Sequence, residues 1–442
     1  MQDGSFEYEL TDDGVILTDF SPESDPSGHF TLPGMLGGKP VREIGTGAFS
    51  AHGSEITELT VPEGVRCIDT GAFTWMLLLG RLNLPESLVC LQEDFAAGTS
   101  LTELTIPRNV RKIGGIGALP FRLRFEPGNP VFESDGYGIF RKEEGALTLA
   151  ATDPGDDKAF YRVPEGVTRI AADAFSGREE LESLELPATL AAIEEGAFSN
   201  VTNQYSDKRG IRCVTFPDGN PRFRAAEDEY IARGDVLLRW FDEALRVQVP
   251  EGIREIAAEC FYRCPAQEIL LPSSVTQIRP RAFVMCQAKR VVIGADGLSV
   301  PFPDGGSYLQ DKLMEEFGRN GKRYDFSFYD RSLVTGLLDT TKARMLLARL
   351  AMKENPAAGL DAQMADKLKS TLSARLPELF ASAGSSGDFD TVRLLADWDG
   401  MTETDFEEAI RTMQEYGRQE MMTYLIRKKL ESVGEDGFDF SL

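Results

Sequence analysis

ITELTVPEGVRCIDTGAF (Ile56–Phe73) returns, with substitutions, as LTELTIPRNVRKIGGIGA (Leu101–Ala118) and as LESLELPATLAAIEEGAF (Leu181–Phe198). The shared unit is L-x-x-L-x-[LVI]-P-x-x-[VL]-x-x-I-x-x-x-A-F. Its proline recurs at Pro62, Pro85 and Pro107, at Pro164 and Pro187, and at Pro250 and Pro272, in adjacent steps of 22 or 23 residues. The phenylalanine keeps step, from Phe73 to Phe95, Phe175 to Phe198 and Phe261 to Phe283. Only 23 of 442 residues are proline, so this coincidence of proline, aliphatic and phenylalanine positions marks an internal repeat.

Each position has a physical reading. The L-x-L before the proline alternates as a short strand with one buried face. Leu104 and Ile106 are expected to point inward, and Glu103 and Thr105 outward. The proline lacks an N–H for further pairing and ends the strand. Val110 and Ile113 return to the core on the far side, and the Ala-Phe pair closes the coil with one large ring. A single unit cannot bury its own apolar face, so neighbours must stack into one column.

The pattern resembles the leucine-rich repeat in its BspA-type variant of about 23 residues, over roughly residues 30–293. GHFTLPGMLGGKPVREIGTGAFS (Gly28–Ser50) is similar to the first coil of that family. FEYEL and VILTDF, joined at Asp13-Gly14, read as a capping hairpin. The fold expected is α+β and multi-domain. It comprises a right-handed leucine-rich repeat β-solenoid with an N-terminal hairpin cap and two hairpin insertions, then an all-α helix-pair domain. The boundaries expected are 1–27, 28–300 and 301–442.

The proline step widens to 57 residues after Pro107 and to 63 after Pro187. Both gaps carry related text, GNPVFESDGYGIFRKEEGALTL and GNPRFRAAEDEYIARGDVLLRW. Each reads as a hairpin insertion that keeps the solenoid stacked. Ala118 stands where the repeat expects phenylalanine, which predicts a looser coil there.

After Ile293 the register stops, and GADGLSVPFPDGG (Gly294–Gly306) is a Gly/Pro-rich boundary. Helix formers follow in SYLQDKLMEEFG, TKARMLLARLAMK and AQMADKLKSTLSARLPELFAS, with Leu346, Leu347 and Leu350 at helical spacing. Gly387 and Gly417 lie 30 apart, as do Leu395 and Leu425. The form G-D-x-x-x-V-x-L-L resembles the second helix of an ankyrin repeat over Gly387–Lys429, without the T-P-L-H-x-A signature.

The formal charge is −24, from 47 Lys+Arg against 71 Asp+Glu. From Pro301 onward 18 basic residues face 25 acidic ones, so −17 of the charge belongs to the rest of the chain. Such a surface repels phosphate backbones and anionic lipid, which speaks against nucleic-acid partners. Membrane insertion is not expected, since the longest candidate run, Trp75–Leu79, is far below the ~18 residues of a span. MQDGSFEYEL has no basic start and no apolar run, and six cysteines are no disulfide framework. A cytoplasmic protein is the expectation, with a cell-surface or secreted one as the alternative if a leader was removed. Asn200-Val201-Thr202 matches a glycosylation sequon.

Chemistry-bearing motifs are sparse. Two histidines, His29 and His52, leave little room for histidine catalysis or ligation. Neither a phosphate-binding loop nor a nucleophile motif occurs. Gly114-Gly115-Ile116-Gly117 reads as a turn between coils. Cys260, Cys264 and Cys286 read as core residues. Cys67 and Cys90 share a repeat position, as a free thiol pair or, alternatively, a disulfide between coils ~5 Å apart. Asp153, Asp156 and Asp157 form an acidic loop, solvated or weakly cation-binding. No catalytic residue, cofactor or metal site is expected.

A non-catalytic protein-binding scaffold follows, with two outward strand rows as the binding face. One row is Thr60, Asn83, Thr105, Glu185, Gln248 and Leu270. The other is Glu58, Arg81, Glu103, Ser183, Arg246 and Glu268. Both are mixed with an acidic bias, which suits a basic protein or peptide and a monomeric scaffold. The BspA-type resemblance implies adhesion at a bacterial surface as the alternative. An enzyme with its site in the helical part, and self-assembly through the solenoid ends, are further readings.

Overall fold

The computed structural model describes residues 1–21, 28–50, 55–143, 145–198, 210–226, 229–294, 298–301, 326–335, 338–352 and 360–433. The sequon at Asn200, the SYLQDKLMEEFG segment and most of the Gly/Pro-rich boundary lie outside them. A β-solenoid of about 11 turns is followed by seven helices among the described residues. The chain forms two compact units, Met1–Tyr230 and Ile231–Leu442.

Each coil of the first unit supplies one strand to each of two sheet faces. The L-x-L segments form the first face. Gly28–Thr31, Ile56–Thr60 and Arg81–Asn83 pair in parallel, with Leu59 beside Leu82 and Thr60 beside Asn83. Glu103–Ile106 pairs with Arg122–Phe125, and Phe160–Arg162, Ser183–Glu185 and Cys213–Thr215 pair in turn. The inward residues Leu59, Leu82, Leu104, Leu123, Leu184 and Val214 are all buried, as alternation requires. The V-x-x-I segments form the second face, from two-residue strands that follow the longer Lys39–Ile44. Lys39–Ile44, Cys67–Ile68, Cys90–Leu91 and Lys112–Ile113 align Ile44, Ile68, Leu91 and Ile113 in one buried row.

Between the faces run the Ala-Phe turns. Phe49 lies on Phe73 at 5.5 Å between ring centroids, and Phe175 on Phe198 at 5.8 Å. The coil of Ala118 is not empty. Phe121, three residues on, is buried and meets Phe95 edge-on at 6.1 Å, so the missing ring is supplied from a later position. Gly114 and Gly117 let this coil close in. A Cβ at Gly114 would lie 2.6 Å from the Glu93 amide nitrogen, and one at Gly117 would lie 2.6 Å from the Asp173 carbonyl oxygen.

The N-terminal hairpin and the first insertion are the same device. Phe6–Leu10 pairs antiparallel with Val15–Phe20, which pairs in parallel with Lys39–Ile44. Gly138–Glu143 pairs antiparallel with Ala146–Thr152, which pairs in parallel with Val167–Ile170. The bulges coincide, after Glu7 and Ile139 in the hairpins and after Val15 and Leu147 in the parallel step. Each hairpin therefore starts a second-face sheet instead of interrupting one.

In the second unit Val236–Trp240 plays that part, pairing in parallel with Glu255–Ile256 and then Gln277–Ile278. Trp240 lies 6.2 Å from Phe261, which stacks on Phe283 at 5.1 Å. Arg246–Gln248, Glu268–Leu271 and Arg290–Ile293 form the first face, closed by the antiparallel strand Leu298–Pro301.

The helices are α1 (Ser327–Leu333), α2 (Thr340–Ala351), α3 (Ala362–Ser373), α4 (Leu376–Ser386), α5 (Phe389–Ala396), α6 (Glu403–Glu415) and α7 (Gln419–Val433). Gly387 and Gly417 occupy the same place, each left-handed (φ 76° and 67°) between the members of a helix pair. Arg418 of the later pair donates from Nε to Gly384 O at 2.7 Å and from Nη2 to Ser385 O at 3.0 Å, capping the open carbonyls of α4. None of the described helices is long and apolar enough to cross a membrane.

Candidate functional site

The residues of the two outward strand rows align in register within each ladder. His29, Glu58 and Arg81 stand in register, as do Thr31, Thr60 and Asn83. Glu103 and Thr105 face Arg122 and Arg124, Ser183 and Glu185 face Phe160 and Arg162, and Arg246 and Gln248 face Glu268 and Leu270. The rows are not one continuous strip, because Arg81–Asn83 is not bonded to Glu103–Ile106, and Arg122–Phe125 is not bonded to Phe160–Arg162.

Four arginines were missed by sequence reasoning: Arg122, Arg124, Arg162 and Arg290. The signal was present. FRLRFEP (Phe121–Pro127) and FYRVP (Phe160–Pro164) keep the alternation and the closing proline. The first lies off the 22-residue register, because the Gly-rich turn shortens its coil. With these strands included, the rows hold six arginines against four glutamates. The acidic bias read from the shorter row disappears, and this face contrasts with a chain of net charge −24.

Every one of those glutamates is held by a basic neighbour one strand away. Glu58 Oε2 lies 3.3 Å from His29 Nδ1 and 3.6 Å from Arg81, while Asn83 donates to Glu58 Oε1 at 2.9 Å and to Thr60 Oγ1 at 3.1 Å. Glu268 sits between Arg246, at 2.9 Å, and Arg290. Arg124 reaches Glu103 at 2.5 Å, and Arg162 pairs with Glu185. Glu58 and Glu268 are only 19% and 14% exposed, whereas their arginines are 57–70% exposed. The arginine heads thus form the outer layer. Each such exposed pair contributes only about 0–1 kcal/mol, so their result is a fixed pattern more than stability.

A cleft of about 410 Å³ opens beside Arg122–Phe125, walled by Tyr137 and Ile139 of the hairpin and by Asp153 and Asp156. Arg122 bridges its mouth, 3.1 Å from Asp153 and bonded to Gly155 O. Asp153 also accepts from Gly155 N at 2.8 Å, and Asp156 pairs with Lys158 at 2.9 Å. Two of the three carboxylates read as a solvated or cation-binding loop are therefore committed to basic partners. The Tyr137 hydroxyl is buried without a hydrogen-bond partner, and burial pushes its pKa up to about 12. Tyr161, packed on it at 4.7 Å, donates to Asp135 at 2.8 Å.

No disulfide joins the cysteines among the described residues. Cys67 and Cys90 are register partners on adjacent second-face strands, and burial, then the hydrogen bond with Cys90, pushes the Cys67 thiol far up. Cys260, Cys264 and Cys286 are buried, as core residues should be. Among the described residues no group of three His, Cys, Asp or Glu side chains is placed to hold a metal.

Residues 36–116, 159–208 and 241–299 match the sequence model of the BspA type leucine-rich repeat region, in six copies. The solenoid is built of repeats of this BspA type. Bacterial proteins of this leucine-rich repeat fold are similar in structure. One is a leucine-rich cell surface protein of Faecalibacterium prausnitzii A2-165, at 18% identity over 71% of this chain and 97% of that one, with a TM-score of 0.39. Another is the pneumococcal vaccine antigen PcpA, at 16% identity over 66% and 81%, with a TM-score of 0.35. A leucine-rich repeat protein of Bacteroides capillosus ATCC 29799 reaches 29% identity, over 28% of this chain and 97% of its own, with a TM-score of 0.25. No curated protein matches the chain. Residues 117–158 and 209–240, which hold Arg122–Phe125 and both hairpin insertions, lie outside the matched residues, as do all seven helices.

Proposed function

We propose that this protein with BspA-type repeats is a non-catalytic scaffold that binds protein partners through the first strand faces of its units, each taken by itself. The observation that carries the reading is the arginine layer, fixed on glutamates one strand away and set in an otherwise acidic chain. A pre-ordered row of guanidinium groups loses little side-chain freedom on binding, and arginine is enriched where protein interfaces concentrate their energy. The partner suited to it carries mixed charge with exposed carboxylates, in place of the basic one that the shorter row suggested. The BspA-type family favours adhesion at a bacterial surface over the cytoplasm as the setting.

Two measurements test this. Protease shaving of intact source cells places the chain: release of its peptides supports the surface setting, and protection until lysis removes it. Cross-linking capture with Arg81→Glu/Arg124→Glu and Arg246→Glu/Arg290→Glu is expected to reduce recovery of a reproducible partner at least tenfold. Lys112→Glu, on the second face, is expected to leave it unchanged. Equal recovery by all variants rejects the strand face.

A further inference from the structure

Among the described residues, the strand Arg122–Phe125 is paired on one side only. Arg122 N donates to Thr102 O and Glu126 N to Ile106 O, so residues 122, 124 and 126 turn their main-chain groups toward Glu103–Ile106. In a parallel ladder alternate residues face opposite ways. Leu123 and Phe125 therefore turn their N–H and C=O groups outward, where no strand is paired among the described residues. Leu123 is buried. Buried main-chain groups are almost always bonded, and exposed edges are usually blunted by charge, bulge or cover. This edge is instead recessed in the 410 Å³ cleft, with Leu123, Phe125 and Ile139 toward the core and Arg122 and Arg124 at the rim.

The same chain shows how such an edge is satisfied. In the second unit, Arg290–Ile293 is covered by the antiparallel strand Leu298–Pro301, in register from Ile293↔Leu298 to Arg290↔Pro301. Arg122–Phe125 is of equal length, about 13 Å, and no strand covers it among the described residues.

We propose that the cleft beside Arg122–Phe125 is a strand-addition site, in which an extended segment of the protein partner bonds main chain to main chain with Leu123 and Phe125. The segment has at least four residues and alternates, with aliphatic side chains turned toward Leu123 and Ile139 and polar ones toward Arg122 and Arg124. Main-chain bonds supply affinity, and the alternate side chains supply selectivity. The inference rests on the protein-binding reading and sharpens it, since charge on the arginine layer alone does not require an extended partner.

The test uses the whole chain, isotope-labelled, and two synthetic probes that copy its own rungs, Ile56–Val61 (ITELTV) and Leu101–Ile106 (LTELTI). At millimolar probe, amide exchange at Leu123 and Phe125 is expected to slow at least tenfold, with Arg122 and Arg124 unchanged. Each probe is also made in two N-methylated forms, on one or the other set of alternate amides. One form is expected to lose the protection and the other to keep it, because only one set faces the edge. Absence of slowing with both probes, slowing elsewhere only, or equal behaviour of the two methylated forms overturns the proposal. These results leave the arginine-variant capture experiment untouched, so strand addition can fail while the protein-binding reading stands.

Discussion

At the scale of single residues, the Ala-Phe turn makes an unusual demand. Two positions four residues apart are left-handed in one coil after another: Gly71 and Trp75, Asp94 and Gly98, Glu259 and Arg263, Arg281 and Met285. Glycine takes this conformation freely, whereas other residues lose roughly 1–2 kcal/mol. The stacked neighbours impose it. Phe73 N donates to Phe95 O and Trp75 N to Ala97 O, so each turn is held by the next. Met285 has φ 56° and a partly exposed side chain. Met285→Gly is expected to unfold at higher denaturant than Met285→Ala, by about 1 kcal/mol, because only glycine relieves the backbone. Equal midpoints remove the strain argument. Sequence reasoning could not see these positions, since glycine occupies some and charged or apolar residues the rest.

At the scale of elements, two polar arrangements, one half-buried and one buried, fasten the helices together. Asp388 caps α5, accepting from Thr391 N at 3.1 Å and Thr391 Oγ1 at 2.7 Å, and it pairs with Arg344. Burial pushes its carboxyl up, but the Thr391 bonds and the Arg344 charge outweigh that and leave its pKa below the ordinary value. A native pKa below the unfolded one gives stability that is present above about pH 4 and lost as pH falls through the native value. Asp388→Asn keeps the cap and removes the charge. Its denaturation midpoint is expected to fall at pH 7 and to approach that of the parent as pH drops toward 2, followed by far-UV circular dichroism. Arg349 is fully buried and bonds Asp330 twice, at 2.7 and 3.0 Å, under the Phe326 ring. Arg349→Ala strands the Asp330 carboxylate and is expected to destabilise α1 and α2 by about 3–5 kcal/mol, measured by urea unfolding. Neither pairing was legible in the sequence, because both span 19 to 44 residues between helices whose packing the periodicity of Leu346 and Leu350 does not specify. The 30-residue recurrence of Gly387 and Gly417 was legible, and the structure puts a left-handed turn at both.

At the scale of the whole molecule, charge and ladder pull in opposite directions. A net charge of −24 opposes compaction, and salt screens that repulsion over about 8–10 Å. The same salt weakens the strand-face ion pairs, which at about 0–1 kcal/mol each are too weak to dominate. Raising sodium chloride from 0.05 to 0.5 M is therefore expected to raise the thermal midpoint. A fall would show that the arginine–glutamate ladder carries stability as well as pattern. The array is also segmented: a hairpin opens each second-face sheet at Val15–Phe20, Ala146–Thr152 and Val236–Trp240. The two Gly-Asn-Pro insertions were legible as related text. The likeness of the first to the N-terminal hairpin emerged only from the matching bulges.

The repeat could be read directly because it is local. Alternation, a strand-ending proline and one ring per coil recur within 22 or 23 residues, and each coil has only its neighbour on which to bury its apolar face. The strand rows followed from the same alternation. Tertiary structure alone decided which carboxylates meet which arginines, which turns are forced left-handed, and where the first-face ladder breaks beside Arg122–Phe125. Those outcomes depend on the register between coils and on the hairpin wedged among them. The distances are a few ångströms across sequence separations of 20 residues and more, which no local pattern encodes.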